Sequence, residues 1–265
     1  MIADVRSVRF VCAGLLLSAS AALAQESALR TVHVFVALAD NQSQGIIPVP
    51  AKLGNGEDPE HNLYWGSAYG VRTFFARSAD WERIACGQKP KAEILERCVF
   101  KHRATNVYLV ADAYRGREIR QTILDFLSSA AGDDPEMVNV PAASGALTLP
   151  TRGGASLVAY IGHDGLMDFQ LRQFPRKKNE IHRDAVVLAC ASKQFFAEPM
   201  RASGAYPLLW TTGLMAPEAY TLKSALDGWI AGEDNEQIRD RAAGAYDKYQ
   251  KCGFRAAHRL LTSGW

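Results

Sequence analysis

The chain has no surplus of charge of either sign. Its 265 residues carry 30 Lys and Arg against 28 Asp and Glu, a formal net charge of +2. Arg6, Arg9 and Asp4 lie in the first two dozen residues, and without them the charge is +1. No basic surface suited to nucleic acid is expected, so nucleic acid is excluded as a partner. Beyond residue 25 no apolar run approaches the roughly 20 residues that a membrane-spanning helix needs. Cysteine is scarce, with five residues. The C-x11-C spacing of Cys86 and Cys98 has no second ligand pair, which argues against zinc, and no metal or other cofactor is implied. No G-x-S-x-G elbow follows any strand, which disfavours a serine hydrolase, and no solenoid-period repeat is visible.

The first residues, MIADVRSVRFVCAGLLLSASAALAQ, place two arginines before an apolar stretch that ends in Ala22-Leu23-Ala24. This is the pattern of a secretory signal peptide, so residues 1–24 are expected to be removed and residues 25–265 to form one periplasmic or secreted α/β domain. An exported chain meets oxidising conditions, which makes disulfides the default for its cysteines. Cys86 and Cys98 flank a short polar segment and are the first candidates. Cys190 and Cys252 are then either a second bridge or two free thiols.

Several apolar runs read as strands. TVHVFVALAD (31–40), NVYLVADAY (106–114), SLVAYI (156–161), AVVLA (185–189) and PLLWTTG (207–213) are separated by helices or long connections. LYWGSAYGVRTFFARS is expected to be helical, as are 117–132, 217–232 and 235–252; the Pro-, Ala-, Gly- and Ser-rich segment 133–154 reads as a loop. The fold class is therefore α/β, a three-layer sandwich with a mainly parallel sheet of about five to six strands. Ligands of such sheets bind beyond the carboxyl ends of the strands. That edge should carry Asp40 and Asn41, Asp112, Tyr114 and Arg115, His163 and Asp164, Cys190 and Ser192, and Thr211 and Thr212. The glycine-rich loop after the first strand is either a cap held by its own side chains or a binding loop, and its acidic stretch GNGEDPEHN reads as a solvated turn.

Two of these strands end on complementary groups. SLVAYIGHDGLMDF delivers His163 and Asp164 at its tip, and AVVLACAS delivers Cys190. An imidazole beside a thiol favours the thiolate that acts as a nucleophile, and Lys193 adds a cation three residues on. Backbone N–H groups near Gly165, Asp164 and Cys190 are candidates to hold an oxyanion. Taken alone, Cys190 is more readily a buried small hydrophobe or a disulfide partner of Cys252.

An apolar strand ending in His-Gly-type sequence, a spacer, and an apolar strand ending in Ala-Cys resembles the clan of cysteine peptidases that includes caspases, legumains, gingipains and clostripain. In that fold the histidine follows the third strand and the cysteine the fourth, and both hold here. The match departs in two places. Asp164 separates His163 from Gly165, and Leu188-Ala189 precedes the cysteine. The resemblance implies a caspase-like fold and an exported cysteine hydrolase, a peptidase acting on peptide or protein substrates through His163 and Cys190. Asp40, Asn41, Asp112, Arg115, Ser192 and Lys193 are its substrate-binding candidates. The competing reading is a non-catalytic periplasmic binding module on the same sheet, with its cysteines bridged.

Overall fold

The computed structural model describes residues 28–142 and 145–265. The expected signal peptide lies outside them. Its strands are β1 (Arg30–Ala37), β2 (Trp81–Gln88), β3 (Ile94–His102), β4 (Val107–Tyr114), β5 (Pro135–Ala142), β6 (Gly145–Arg152), β7 (Leu157–Ile161), β8 (Asp184–Leu188), β9 (Tyr206–Thr211) and β10 (Leu261–Thr262). The helices are α1 (Val71–Arg77), α2 (Ile119–Ala130), α3 (Ser192–Ser203), α4 (Ala219–Ala231), α5 (Asn235–Gln250) and α6 (Phe254–Leu260). Among the described residues no helix is long and apolar enough to cross a membrane.

Eight strands form one sheet in the order β10-β9-β8-β7-β1-β4-β3-β2. The five strands read from the sequence, β1, β4, β7, β8 and β9, run parallel to one another. The sheet is wider than the five to six strands expected, because antiparallel strands extend both edges: β2 and β3 on one side and β10 on the other. Strand β1 shows why the sheet is central. Val32, Val34 and Val36 enter a core shared with α1, α4 and α5, while Phe35 and Ala37 enter a second core shared with α2 and α3. Side chains alternate across a strand, so a run that is apolar throughout must be covered on both faces.

Two local expectations change. The segment around LYWGSAYG turns rather than forming a helix, and only Val71–Arg77 is helical. The Asn62 carbonyl accepts the N–H groups of Trp65, Gly66 and Ser67, and the Asn62 side chain holds both the N–H and the carbonyl of Ala39, so the chain is tied to the end of β1. Residues 135–142 and 145–152 pair as the antiparallel β5–β6 hairpin rather than forming a loop. Its prolines hide an alternation that turns Val138, Val140 and Leu149 onto β3 and β4, and a two-stranded ribbon tolerates proline where a central strand does not. Cys86 and Cys98 face each other across β2 and β3 and are joined by a disulfide, as expected.

The hairpin is also held by a buried ionic network. Arg97 on β3 forms a fork with both oxygens of Asp112 on β4, at 2.6 and 2.7 Å, and reaches Glu136 on β5 at 2.6 Å. His33 on β1 completes it: Nδ1 accepts the Arg152 N–H at 2.9 Å and Nε2 donates to Asp112 at 3.0 Å. Burial lowers the His33 pKa, which keeps the ring neutral and fits this tautomer. Asp112 is therefore a fully buried structural carboxylate in the body of β4, not a ligand at the sheet edge.

Candidate functional site

Strands β7 and β8 are parallel neighbours whose last paired residues are Ile161 and Leu188. The Gly162 N–H continues the ladder to the Leu188 carbonyl at 3.3 Å. His163 and Cys190 each stand two residues beyond that pair, at the same end of strands spaced about 5 Å apart. Both line one cavity of about 450 Å³. Gly162 (φ 154°) lets the backbone leave the sheet: a Cβ there would lie 2.9 Å from the Ala37 carbonyl oxygen on β1.

The His163 ring is nearly buried and its Nε2 lies 2.7 Å from Asp168 Oδ2. The same carboxylate oxygen accepts the Gly45 N–H at 2.9 Å, so the loop after β1 is fastened to the histidine's partner. The His163 carbonyl accepts the Tyr160 hydroxyl at 2.7 Å and the Gly165 N–H at 3.0 Å. Gly165 is thus committed to His163 and does not supply the oxyanion donor expected of it. The Cys190 N–H donates to no other described residue and keeps that role open.

Cys190 is a free thiol, and so is Cys252, which is exposed; the bridge between them is not formed. The Cys190 sulfur rests against the backbone of Met215, 3.4 Å from its nitrogen and 3.6 Å from its oxygen. Ala191 follows in the left-handed region (φ 48°) and turns β8 sharply into α3. A non-glycine residue there is strained by about 1–2 kcal/mol. The turn leaves Cys190 at the amino end of α3, where helix N–H groups favour negative charge.

The other candidates do not join this pair. Asp40 is nearly buried and caps its own loop, accepting the Gln42 N–H and the Ser43 hydroxyl. Asn41 spans the loop by exchanging two hydrogen bonds with Val49. Arg115 bonds the Ala92 carbonyl and Glu57. Ser192 is fully buried and bonds the Val187 carbonyl and Thr211, which anchors the first turn of α3. Lys193 lies over the Trp210 ring, 5.3 Å from its centre. None of these lines the cavity. Short polar side chains at strand ends more often close their own turns than face a ligand.

Asp164 is fully buried. Its Oδ1 accepts the Leu166 N–H at 3.0 Å, capping a single 3-10 turn, and its Oδ2 has no partner. Burial, reinforced by the nearby charge of Asp168, pushes the Asp164 carboxyl up to about 7. The acid that touches the histidine is instead Asp168, five residues along the same stretch. The 3-10 turn Gly165–Met167 between them swings Asp168 back onto the ring, a reversal that strand patterning does not encode.

The remaining walls come from loops. Gly45, Ile46, Ile47 and Val49 belong to the loop after β1, and Leu214 to Glu218 join β9 to α4. Tyr64 closes one side; burial and the nearby charges of Cys190 and Glu218 all raise its hydroxyl pKa. Glu218 is the only carboxylate among the lining residues and was missed because nothing in its local sequence sets it apart. No family model, no curated protein and no solved structure matches this chain.

Proposed function

We propose that this protein is an exported cysteine hydrolase of caspase-like fold, acting on peptides through Cys190, His163 and Asp168. The observation that carries the reading is the shared cavity. A free thiol and an imidazole oriented by a carboxylate 2.7 Å away line the same opening, at the carboxyl edge of parallel strands. Counted among the parallel strands, His163 follows the third and Cys190 the fourth, in the order of the resembled clan.

With Nε2 engaged by Asp168, Nδ1 is the ring nitrogen left to serve the thiol. The thiolate of Cys190 adds to the carbonyl carbon of a substrate peptide, and the Cys190 N–H takes the developing oxyanion. Collapse breaks the C–N bond as His163 gives its proton to the leaving amine, which leaves a thioester on Cys190. Water, deprotonated by His163, adds to the thioester; the carboxylic acid departs and the thiol is restored. The apolar wall formed by Ile46, Ile47 and Val49 keeps the site partly dry, which strengthens each electrostatic contact within it.

A second reading is a non-catalytic binding module in the same compartment. The Cys86–Cys98 disulfide fits that reading and an extracytoplasmic location. The two differ at Cys190. Iodoacetamide footprinting of the native protein, mapped by mass, should label Cys190 faster than the more exposed Cys252, and His163→Ala should remove that lead. Equal or slower labelling of Cys190 leaves the binding module.

A further inference from the structure

Apart from Cys190, His163 and Tyr64, the side chains that line the cavity are apolar except at one point. Its mouth carries Ile47, Met167 and Leu214, all exposed, and its walls include Leu63 and Pro217. Three residues after Met215, whose backbone holds the Cys190 sulfur, the same loop places Glu218 in the lining. Glu218 is 8% exposed. Its Oε2 accepts the Tyr220 hydroxyl at 2.9 Å and the Gln250 amide at 3.2 Å, which fixes the carboxyl group. No Lys or Arg among the described residues pairs with it, whereas two other buried acids each have a cation: Asp112 has Arg97 and Asp125 has Arg152. Burial raises the Glu218 pKa, as expected of a carboxylate without a counter-charge.

We infer that Glu218 sets the specificity of this site and that the substrate group entering the cavity is a long aliphatic side chain with a terminal cation, as in lysine or arginine. The inference rests on Cys190 being the nucleophile. An aliphatic stem matches walls of Ile, Leu, Met and Pro, and the charged head of such a chain reaches past them to a polar partner. Against the apolar walls the cation and the nearly buried Glu218 attract more strongly than they would in water. An uncharged chain of equal length leaves the acid unpaired, and an acidic chain is repelled. A site built around a buried polar group rejects a ligand that lacks its complement.

The test uses the mature chain and peptidyl acyloxymethyl ketones that differ only in the residue beside the reactive ketone: lysine, arginine, norleucine or glutamate. Attack by the Cys190 sulfur on the methylene carbon forms a thioether and expels the carboxylate. The lysine or arginine probe should label Cys190 about tenfold or more faster than the norleucine probe, and the glutamate probe slowest. Glu218→Gln, which retains an oxygen for Tyr220 and Gln250, should bring the lysine and norleucine rates together. A norleucine probe as fast as both cationic probes on the wild-type protein overturns the inference even if the variant does not fold. So does a lysine preference that survives Glu218→Gln. Iodoacetamide on the wild-type protein separates the two levels: if Cys190 leads Cys252 with that reagent, the nucleophile stands and only the cation preference has failed.

Discussion

One oxygen of Asp168 holds both the His163 ring, 2.7 Å away, and the Gly45 N–H, 2.9 Å away. A Cβ on Gly45 would come within 2.4 Å of the other Asp168 oxygen, so any larger residue there would have to displace this carboxylate. The imidazole's orientation and the position of the loop that walls the cavity are therefore fixed by one side chain.

From this geometry, Asp168→Asn should slow His163-dependent labelling of Cys190 by about tenfold, equivalent to about 1.4 kcal/mol. His163→Ala should lower peptide hydrolysis by roughly 10²–10⁴-fold, the usual contribution of a positioned general base. Labelling rate against pH, with circular dichroism as the check on folding, measures both. An Asp168→Asn variant that labels at the wild-type rate across the pH range removes Asp168 from the site.

Asp164 predicts a pH dependence of stability. Its folded-state pKa of about 7 exceeds the ordinary carboxyl value of 3.8, so the folded protein holds the proton more tightly than the unfolded chain. The stability tied to that proton is fully present below about pH 4 and is lost as pH rises through about 7. The span is on the order of 4 kcal/mol at most. Urea unfolding at pH 5 and pH 8 should show the wild type weakening at the higher pH. Asp164→Asn, which keeps the acceptor for Leu166, should remove this part of the slope; an unchanged slope assigns it to another group.

Asp112 acts in the opposite sense. Burial alone would raise its carboxyl, but the hydrogen bonds from Arg97 and His33 outweigh it and hold the group well below the usual carboxylate range. Its contribution is present above the unfolded value near 4 and is lost as pH falls below it. Asp112→Ala leaves Arg97 buried with only the partly exposed Glu136, and should cost about 3–5 kcal/mol at neutral pH by urea unfolding. A cost below about 1 kcal/mol would mean that the Arg97–Asp112 pair contributes little to holding the β5–β6 hairpin.

The disulfide should matter for stability and not for the site. Cys86 and Cys98 close a loop of sequence separation 12, and the double Cys→Ala variant should lose about 3 kcal/mol in the chain-entropy model. The bridge lies in the β2–β3 edge of the sheet, with β1 and β4 between it and β7, so labelling of Cys190 in the folded variant should be unaffected. Loss of that labelling without unfolding would show that the edge and the site are coupled.

The five parallel strands were legible because each is buried on both faces and so must be apolar along its length. The antiparallel edges were not, since WERIACGQ mixes exposed charge with half-buried positions, and ILERCVFKH, although mostly buried, is broken by Glu96, Arg97 and Lys101, so that both resemble polar connections. The hairpin was hidden by Pro135, Pro141 and Pro150, residues that weaken a strand pattern without forbidding an outlying ribbon. Among the candidate site residues, His163 and Cys190 share the cavity, whereas Asp40, Asn41, Arg115, Ser192 and Lys193 are engaged elsewhere.

What the sequence determined by itself was the covered parallel sheet and the two strands that end on an imidazole and a thiol. Apolar periodicity is a local property that burial imposes directly on the chain. Tertiary structure alone decided that Asp168 rather than Asp164 meets the histidine, that Asp112 faces an arginine instead of a ligand, and that Glu218 enters the cavity beside Cys190. Each of these depends on how a turn or loop folds back onto a strand distant in sequence. A charged side chain leaves no record of that in its neighbours, because its partner is supplied by another part of the chain.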